Sequence, residues 1–277
     1  MRGRREGLDG SPTISASAAV LQGMAQILAI HSFRGGTGKS NLTANLATAL
    51  ALQGKRVAVI DTDLASPGVH VLFGFTPDPG QPTLNDYLQG DVPIVKCAHE
   101  VTPEPVKKAH GHIWLVPASM DSDRIARLLR EGYQVEKLND ALFSLSESLH
   151  LDLLLIDTHP GINEETLLST AIADCLLVVM RPDSQDYLGT AVAIEVAERL
   201  DVPAIRMVVN KLPQHFDTEQ VRERVASSYG VPIGALLPLS EDLLTLASGG
   251  LAVLSYPTHP WSEQVRGLAS ELLDSVL

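Results

Sequence analysis

The segment Phe33-Arg-Gly-Gly-Thr-Gly-Lys-Ser40 groups glycines, a lysine and a hydroxyl in an order suited to holding phosphate. Gly35, Gly36 and Gly38 allow backbone conformations that a Cβ forbids. They also let bare N–H groups approach phosphate oxygens at a helix N-terminus. Lys39 is expected to reach the β- and γ-phosphates and Ser40 to ligate Mg²⁺, with Thr37 and Asn41 completing the cradle. The strict pattern GxxxxGK[ST] asks for glycine at the first position, where this chain has Phe33. The predicted ligand is ATP or ADP with Mg²⁺.

Phosphoryl transfer also needs carboxylates around a hydrated cation and a group that orients water. Two apolar runs end in such acids, Val57-Ala-Val-Ile-Asp61-Thr-Asp63 and Leu153-Leu-Leu-Ile-Asp157-Thr-His-Pro-Gly161. Asp157 fits a Walker B role, and Asp61 and Asp63 the others. Gly161 suggests a loop that senses the terminal phosphate.

These residues need strands that end on one edge. Apolar runs at Gln26–Ser32, Arg56–Asp61, His112–Val116, Leu151–Asp157, Cys175–Met180, Ala204–Asn210 and Pro232–Leu236 are mostly continuous rather than alternating, so both faces should be buried. Helical spacing fills the gaps, over Ser40–Gln53 with a stop at Gly54, Val135–Leu149 and Tyr187–Leu200, and a short helix is expected at Leu84–Leu88. Alternating strands and helices predict an α/β, doubly wound, mostly parallel sheet with helices on both faces and its ligand edge at the strand C-termini.

Composition agrees. The chain has 277 residues, 45% hydrophobic but only 4% aromatic, which suits an Ala/Val/Ile/Leu core. Its net charge of −12 argues against a bulk polyanion binder. No apolar run approaches the ~20 residues that span a bilayer, and a cytoplasmic location is expected. Residues 1–23 read as a disordered extension, with Met24 a candidate start, and residues 24–277 as one catalytic domain. Cys97 and Cys175 stand far apart with no CxxC or CxC pair, so no iron–sulfur cluster is expected.

Together the residues resemble the MinD/ParA family of deviant-Walker P-loop ATPases, MinD more than plasmid-type ParA. The resemblance spans roughly residues 25–275 through FRGGTGKSN (33–41), VAVIDTDLASPGVHVLFG (57–74), WLVPAS (114–119), LLLIDTHPGINEETL (153–167), VVNKLP (208–213) and LPLSEDLLTLASGGLAVL (237–254). It implies slow hydrolysis of ATP, an ATP-dependent homodimer, and a positioning or partitioning role with a separate stimulating partner or cargo adaptor. It assigns water activation to Asp63, the Mg²⁺ surroundings to Asp61 and Asp157, base contact to Asn210 and adenine packing to Pro238. Arg34 stands where the family keeps a lysine that contacts phosphate across the dimer. That replacement motivates an alternative, a nucleotide-bound scaffold or regulator with little hydrolysis. A metal-cluster carrier would need paired cysteines, and a tyrosine-kinase relative a terminal tyrosine cluster.

The family's membrane-binding members end in a basic amphipathic helix. Here Trp261, Val265, Leu268, Leu272 and Val276 form a stripe, but the opposite face carries Glu263, Glu271 and Asp274 against Arg266, so a core-packed helix is expected. Non-specific DNA is the partner to which Lys107, Lys108, Arg222, Arg224 and the stripe Arg124, Arg127, Arg130 would be suited, although an ordinary solvated face is the preferred reading.

Overall fold

The computed structural model describes residues 24–275 apart from Pro79 and Val135. The expectations for residues 1–23 and Val276 therefore lie outside the described residues. Eight strands, β1 (Gln26–His31), β2 (Arg56–Asp61), β3 (His99–Glu100), β4 (His112–Val116), β5 (Leu153–Asp157), β6 (Cys175–Met180), β7 (Ala204–Leu212) and β8 (Ile233–Pro238), form one sheet in the order β3-β4-β2-β5-β1-β6-β7-β8. All neighbours pair in parallel except β3 with β4.

The helices that matter below are α1 (Lys39–Ala51), α2 (Leu84–Leu88), α3 (Ser122–Glu131), α4 (Lys137–Leu149), α5 (Glu164–Ala171), α6 (Ser184–Arg199), α7 (Glu241–Leu246) and α8 (Pro260–Ser275). Local chemistry starts and stops them. Thr83 and Asp86 form a reciprocal cap on α2, the side chains of Asn163 and Asp183 cap α5 and α6, and Gly54 takes φ +81 just beyond α1.

The strands are apolar on both faces because each face meets a helical layer. Leu28, Ile30, Val57, Val59, Leu153 and Leu155 enter one core with Leu42, Leu46 and Leu50 of α1 and with Trp261, Val265, Leu268 and Leu272 of α8. The intervening residues point the other way, Ala58, Ile60, Leu154 and Ile156 toward Leu138, Leu142 and Leu145 of α4, and Leu176, Val178 and Met180 toward Ile194 and Ala197 of α6. The predicted stripe on α8 is thus a core stripe from Trp261 to Leu272. No helix among the described residues is long and apolar enough to cross a membrane.

Two differences from the expected elements have identifiable causes, one tertiary and one local. β3 is only His99–Glu100, held by antiparallel pairing with Leu115 and Trp114, a tertiary partnership with no local signature. β7 runs two residues past Asn210 because an irregularity between Val209 and Leu212 absorbs Lys211, which sits at φ +57.

Candidate nucleotide site

β1 lies between β5 and β6, and β5 between β1 and β2, so the loops leaving β1, β2 and β5 are neighbours at the C-terminal edge. Ile30 registers with Asp157, and Asp157 with Asp61. Residues distant in sequence are therefore delivered to one place by strand register.

The Phe33–Ser40 loop bounds a cavity of ≈ 280 Å³ lined by Ser32, Gly35–Asn41, Asp63, Ser66 and Pro160. Gly36 and Gly38 take φ +78 and +90, where only glycine is unstrained, and a Cβ at Gly38 would collide with Asn210 Nδ2. Gly35 needs no such conformation. Neither does Phe33, which explains how the loop dispenses with glycine at its first position. The Phe33 ring instead packs where a Cβ of Gly189 on α6 would be. Arg34 Nη1 donates to Gln185 Oε1 on the same helix and lies 3.9 Å from Asp186 Oδ1. Both departures from the standard loop are thus satisfied by the first turns of α6.

Asp61 and Asp157 lie side by side at the strand ends, and Asp63 lines the cavity beside them. Lys39 Nζ bonds Asp157 Oδ1 at 2.9 Å, and Thr43 Oγ1 donates to the same oxygen at 2.9 Å. Asp157 Oδ2 is buried without a partner among the described residues, as is Thr37 Oγ1. Asp61 is fully buried and accepts from the backbone N–H groups of Asp63 and Gly68. Burial and the neighbouring Asp157 push its carboxyl up to about 7, against the pull of Lys39 and those backbone donors. Asp63 Oδ1 accepts from Ser66 and from His159 Nδ1 at 2.8 Å. His31, buried under the loop, is held neutral, its pKa driven down to about 3 by burial and then by Lys39 and His159.

A second cavity of ≈ 260 Å³ adjoins the first and shares Gly38 and Asn41 with it. Its walls are Asn210, Lys211, Pro238–Ser240, residues of α7 and the Trp261 indole. Asn210 Nδ2 donates to Thr37 O at 2.8 Å, while its Oδ1 accepts from Lys211 N at 2.8 Å and Trp261 Nε1 at 3.4 Å. Lys211 Nζ donates to Gly36 O at 2.8 Å. Consecutive side chains therefore hold consecutive carbonyls of the loop, an arrangement that leaves its N–H groups for an anion.

Lys211 and His159 were missed in the sequence reading. For Lys211 the available signal was its place beside Asn210, and for His159 its place two residues after Asp157. Gln185 and Asp186 carried none, because only the fold brings α6 to Arg34.

The residues fit a magnesium-bound nucleoside phosphate. The orphaned Asp157 Oδ2 and the buried Asp61 are oxygen donors of the kind a hard dication takes, and two glycines at positive φ open the cradle. The two adjoining cavities give one end lined by the glycine loop and Lys39 and another that is largely apolar. Two of the three arginines in the basic stripe on α3 are paired, Arg124 with Asp86 at 2.8 Å and Arg127 with Asp91 and Glu131 at 3.4 and 3.2 Å, while Arg130 bonds the Ala126 carbonyl.

A family profile described as ParA, NUBPL iron-transfer P-loop NTPase, matches residues 23–273. The chain is 31% identical over 252 residues to an uncharacterised ATP-binding protein of Methanocaldococcus jannaschii, covering 90% of this chain and 88% of that one. It is 28% identical over 241 residues to an iron–sulfur cluster carrier protein of Pseudomonas fragi, covering 83% and 78%. The fold is shared with the septum site-determining protein MinD of Pyrococcus horikoshii in complex with Mg-ADP, at a TM-score of 0.76 and 23% identity over 91% of this chain and 98% of that one. These findings correct one expectation. The iron-transfer profile and the relatives named as cluster carriers overturn the exclusion of an iron–sulfur cluster. That exclusion rested on cysteine spacing within one chain, which does not speak for the family. Cys97 and Cys175 themselves are free and buried, their thiols pushed up by burial to about 12 and about 11. With the profile spanning nearly the whole described chain and the MinD fold beneath it, the chain belongs to the ParA family of P-loop NTPases and is MinD/ParA-like.

Proposed function

We propose that residues 24–277 act as one Mg²⁺-dependent ATPase that hydrolyses ATP slowly, dimerises on ATP and serves as a positioning switch. The observation that carries the ATPase reading is the buried cluster in which Lys39 meets Asp157, with Asp61 beside it and Asp157 Oδ2 unpartnered. A lysine and two carboxylates are costly to bury unless an ionic ligand uses them.

Phosphate oxygens would take the N–H groups of residues 35–40 and the Lys39 ammonium. Ser40, Asp61 and Asp157 would hold Mg²⁺, which supplies charge neutralisation at the transferred phosphoryl group. Asp63 orients water from the cavity wall. Asn210, Pro238 and Trp261 enclose the base. Arg34 is 39% exposed and held at the rim by α6, which leaves its guanidinium within reach of a second copy.

The test is ATP turnover by purified protein with and without Asp63→Ala, together with size-exclusion chromatography in ATP, ADP and no nucleotide. Equal turnover in both proteins would sink the enzyme reading, and a monomer in ATP would sink the switch.

A second reading, in which the same cycle transfers iron, is favoured by the family's description as an iron-transfer NTPase. Anaerobic reconstitution with ferrous iron and sulfide tests it. Cluster absorbance lost in Cys97→Ala or Cys175→Ala would support it.

A further inference from the structure

Asp63 is unusually constrained. Ser66 N, Ser66 Oγ and His159 Nδ1 all bond one oxygen, Oδ1, at 3.0, 3.0 and 2.8 Å. The other oxygen makes no hydrogen bond among the described residues, and the residue lines the phosphate cavity. A carboxylate accepts, so the His159 hydrogen sits on Nδ1.

His159 belongs to the loop between β5 and α5, whereas Asp63 belongs to the loop after β2. The loop of His159 is held without its imidazole. Thr158 N donates to Ile30 O at 3.2 Å, Gly161 N to Ser32 O at 3.1 Å, and Thr166 Oγ1 to His159 O at 3.3 Å. Its ring is 32% exposed and fills no core. Among the described residues the imidazole makes one hydrogen bond, and it joins the two loops that leave β2 and β5.

We propose that His159 is a positioning residue for hydrolysis, resting on the ATPase reading above. It turns the free oxygen of Asp63 toward the cavity, and it ties that carboxylate to the loop containing Gly161. A shift of the 158–163 loop on meeting a terminal phosphate is then passed directly to the water-orienting group. Readiness to hydrolyse is set by loop position rather than by Asp63 alone.

Three proteins test this, the wild type, His159→Ala and His159→Asn. The Asn amide carries a donor close to the position of Nδ1. In single-turnover assays His159→Ala should lose roughly 10–100-fold in rate, the scale of a misplaced reacting group. Its KM for ATP should stay within about threefold of wild type, and His159→Asn should recover most of the rate. Hydrogen exchange provides the second readout. In wild type, Mg-ATP should slow exchange together in residues 64–67, which follow Asp63 and make none of the Asp61 hydrogen bonds, and in residues 158–163. In His159→Ala only the second segment should respond, with coupling restored in His159→Asn. Wild-type rate and joint protection in His159→Ala would overturn the proposal. So would a rate lost equally in both variants alongside weakened ATP binding, which marks a structural role. A wild type without turnover would reject the ATPase reading alone, because the exchange measurement still decides whether His159 links the loops.

Discussion

Lys39 Nζ sits 2.9 Å from Asp157 Oδ1 in an ion pair whose side chains are 7% and 1% exposed. Removing the ammonium strands two carboxylates in the interior, because Asp61 registers beside Asp157. Breaking such a pair from one side costs about 3–5 kcal/mol. Lys39→Ala should therefore lower the urea midpoint of the empty protein as well as abolish nucleotide binding. Adding Asp157→Asn should recover a large part of the stability but none of the binding.

Asp61 links binding to pH. Its carboxyl is raised from 3.8 to about 7 by burial and by Asp157. The unfolded chain thus releases this proton before the folded chain does. The associated stability is complete below about pH 4 and is lost as pH rises toward 7. A dication beside Asp61 favours the ionised form, so Mg-nucleotide binding should release close to one proton at pH 6 and almost none above pH 8. Calorimetry in buffers of different ionisation enthalpy measures this, and Asp61→Asn should abolish it.

Lys211 and Asn210 hold the carbonyls of Gly36 and Thr37. Lys211→Ala should weaken ADP binding by about threefold to tenfold, the effect of one partly exposed charged hydrogen bond. Asn210 is 5% exposed, and Asn210→Ala should cost more because it leaves Thr37 O buried without its donor. Titration with a fluorescent nucleotide separates the two.

Phe33 and Gly189 should behave as one unit. A Cβ on Gly189 collides with the ring, so Gly189→Ala should destabilise by about 1–3 kcal/mol. In a Phe33→Gly background the same change should cost little. The difference is a coupling energy read from chemical denaturation.

Arg34 invites a mixing experiment. Arg34→Ala keeps its own Asp63, and Asp63→Ala keeps its own Arg34. Each alone should be nearly inactive. If Arg34 serves the partner's site, an equimolar mixture should regain turnover through dimers that contain one complete site. A mixture no more active than its parts would confine Arg34 to its own chain, where Gln185 and Asp186 already hold it.

How much of this could be read in advance depended on whether the signal was local. The β2 and β5 runs are apolar at successive positions because opposite faces meet different helical layers, and that pattern predicted both strands and their acidic ends. The glycines of the cradle and the acids at the strand ends were legible for the same reason, since each element carries its own chemistry. His159 and Lys211 were not singled out, because their importance lies in the residue they touch across the fold. The core placement of α8 was legible from its acidic outer face. Its second task, bringing the Trp261 indole to Asn210, was not.

The order of strands has a consequence for synthesis. β1 carries the cradle, yet its neighbours are β5 and β6, with Gln26 registering against Leu153 and Leu28 against Cys175. A nascent chain therefore exports its phosphate loop before either neighbouring strand, and the flanks of β1 stay open until the chain beyond Met180 has emerged. The second cavity waits longer still, for Trp261. The full nucleotide cavity can form only once the chain through Trp261 has emerged, and until then Leu28 and Ile30 lack part of the apolar surroundings that bury them.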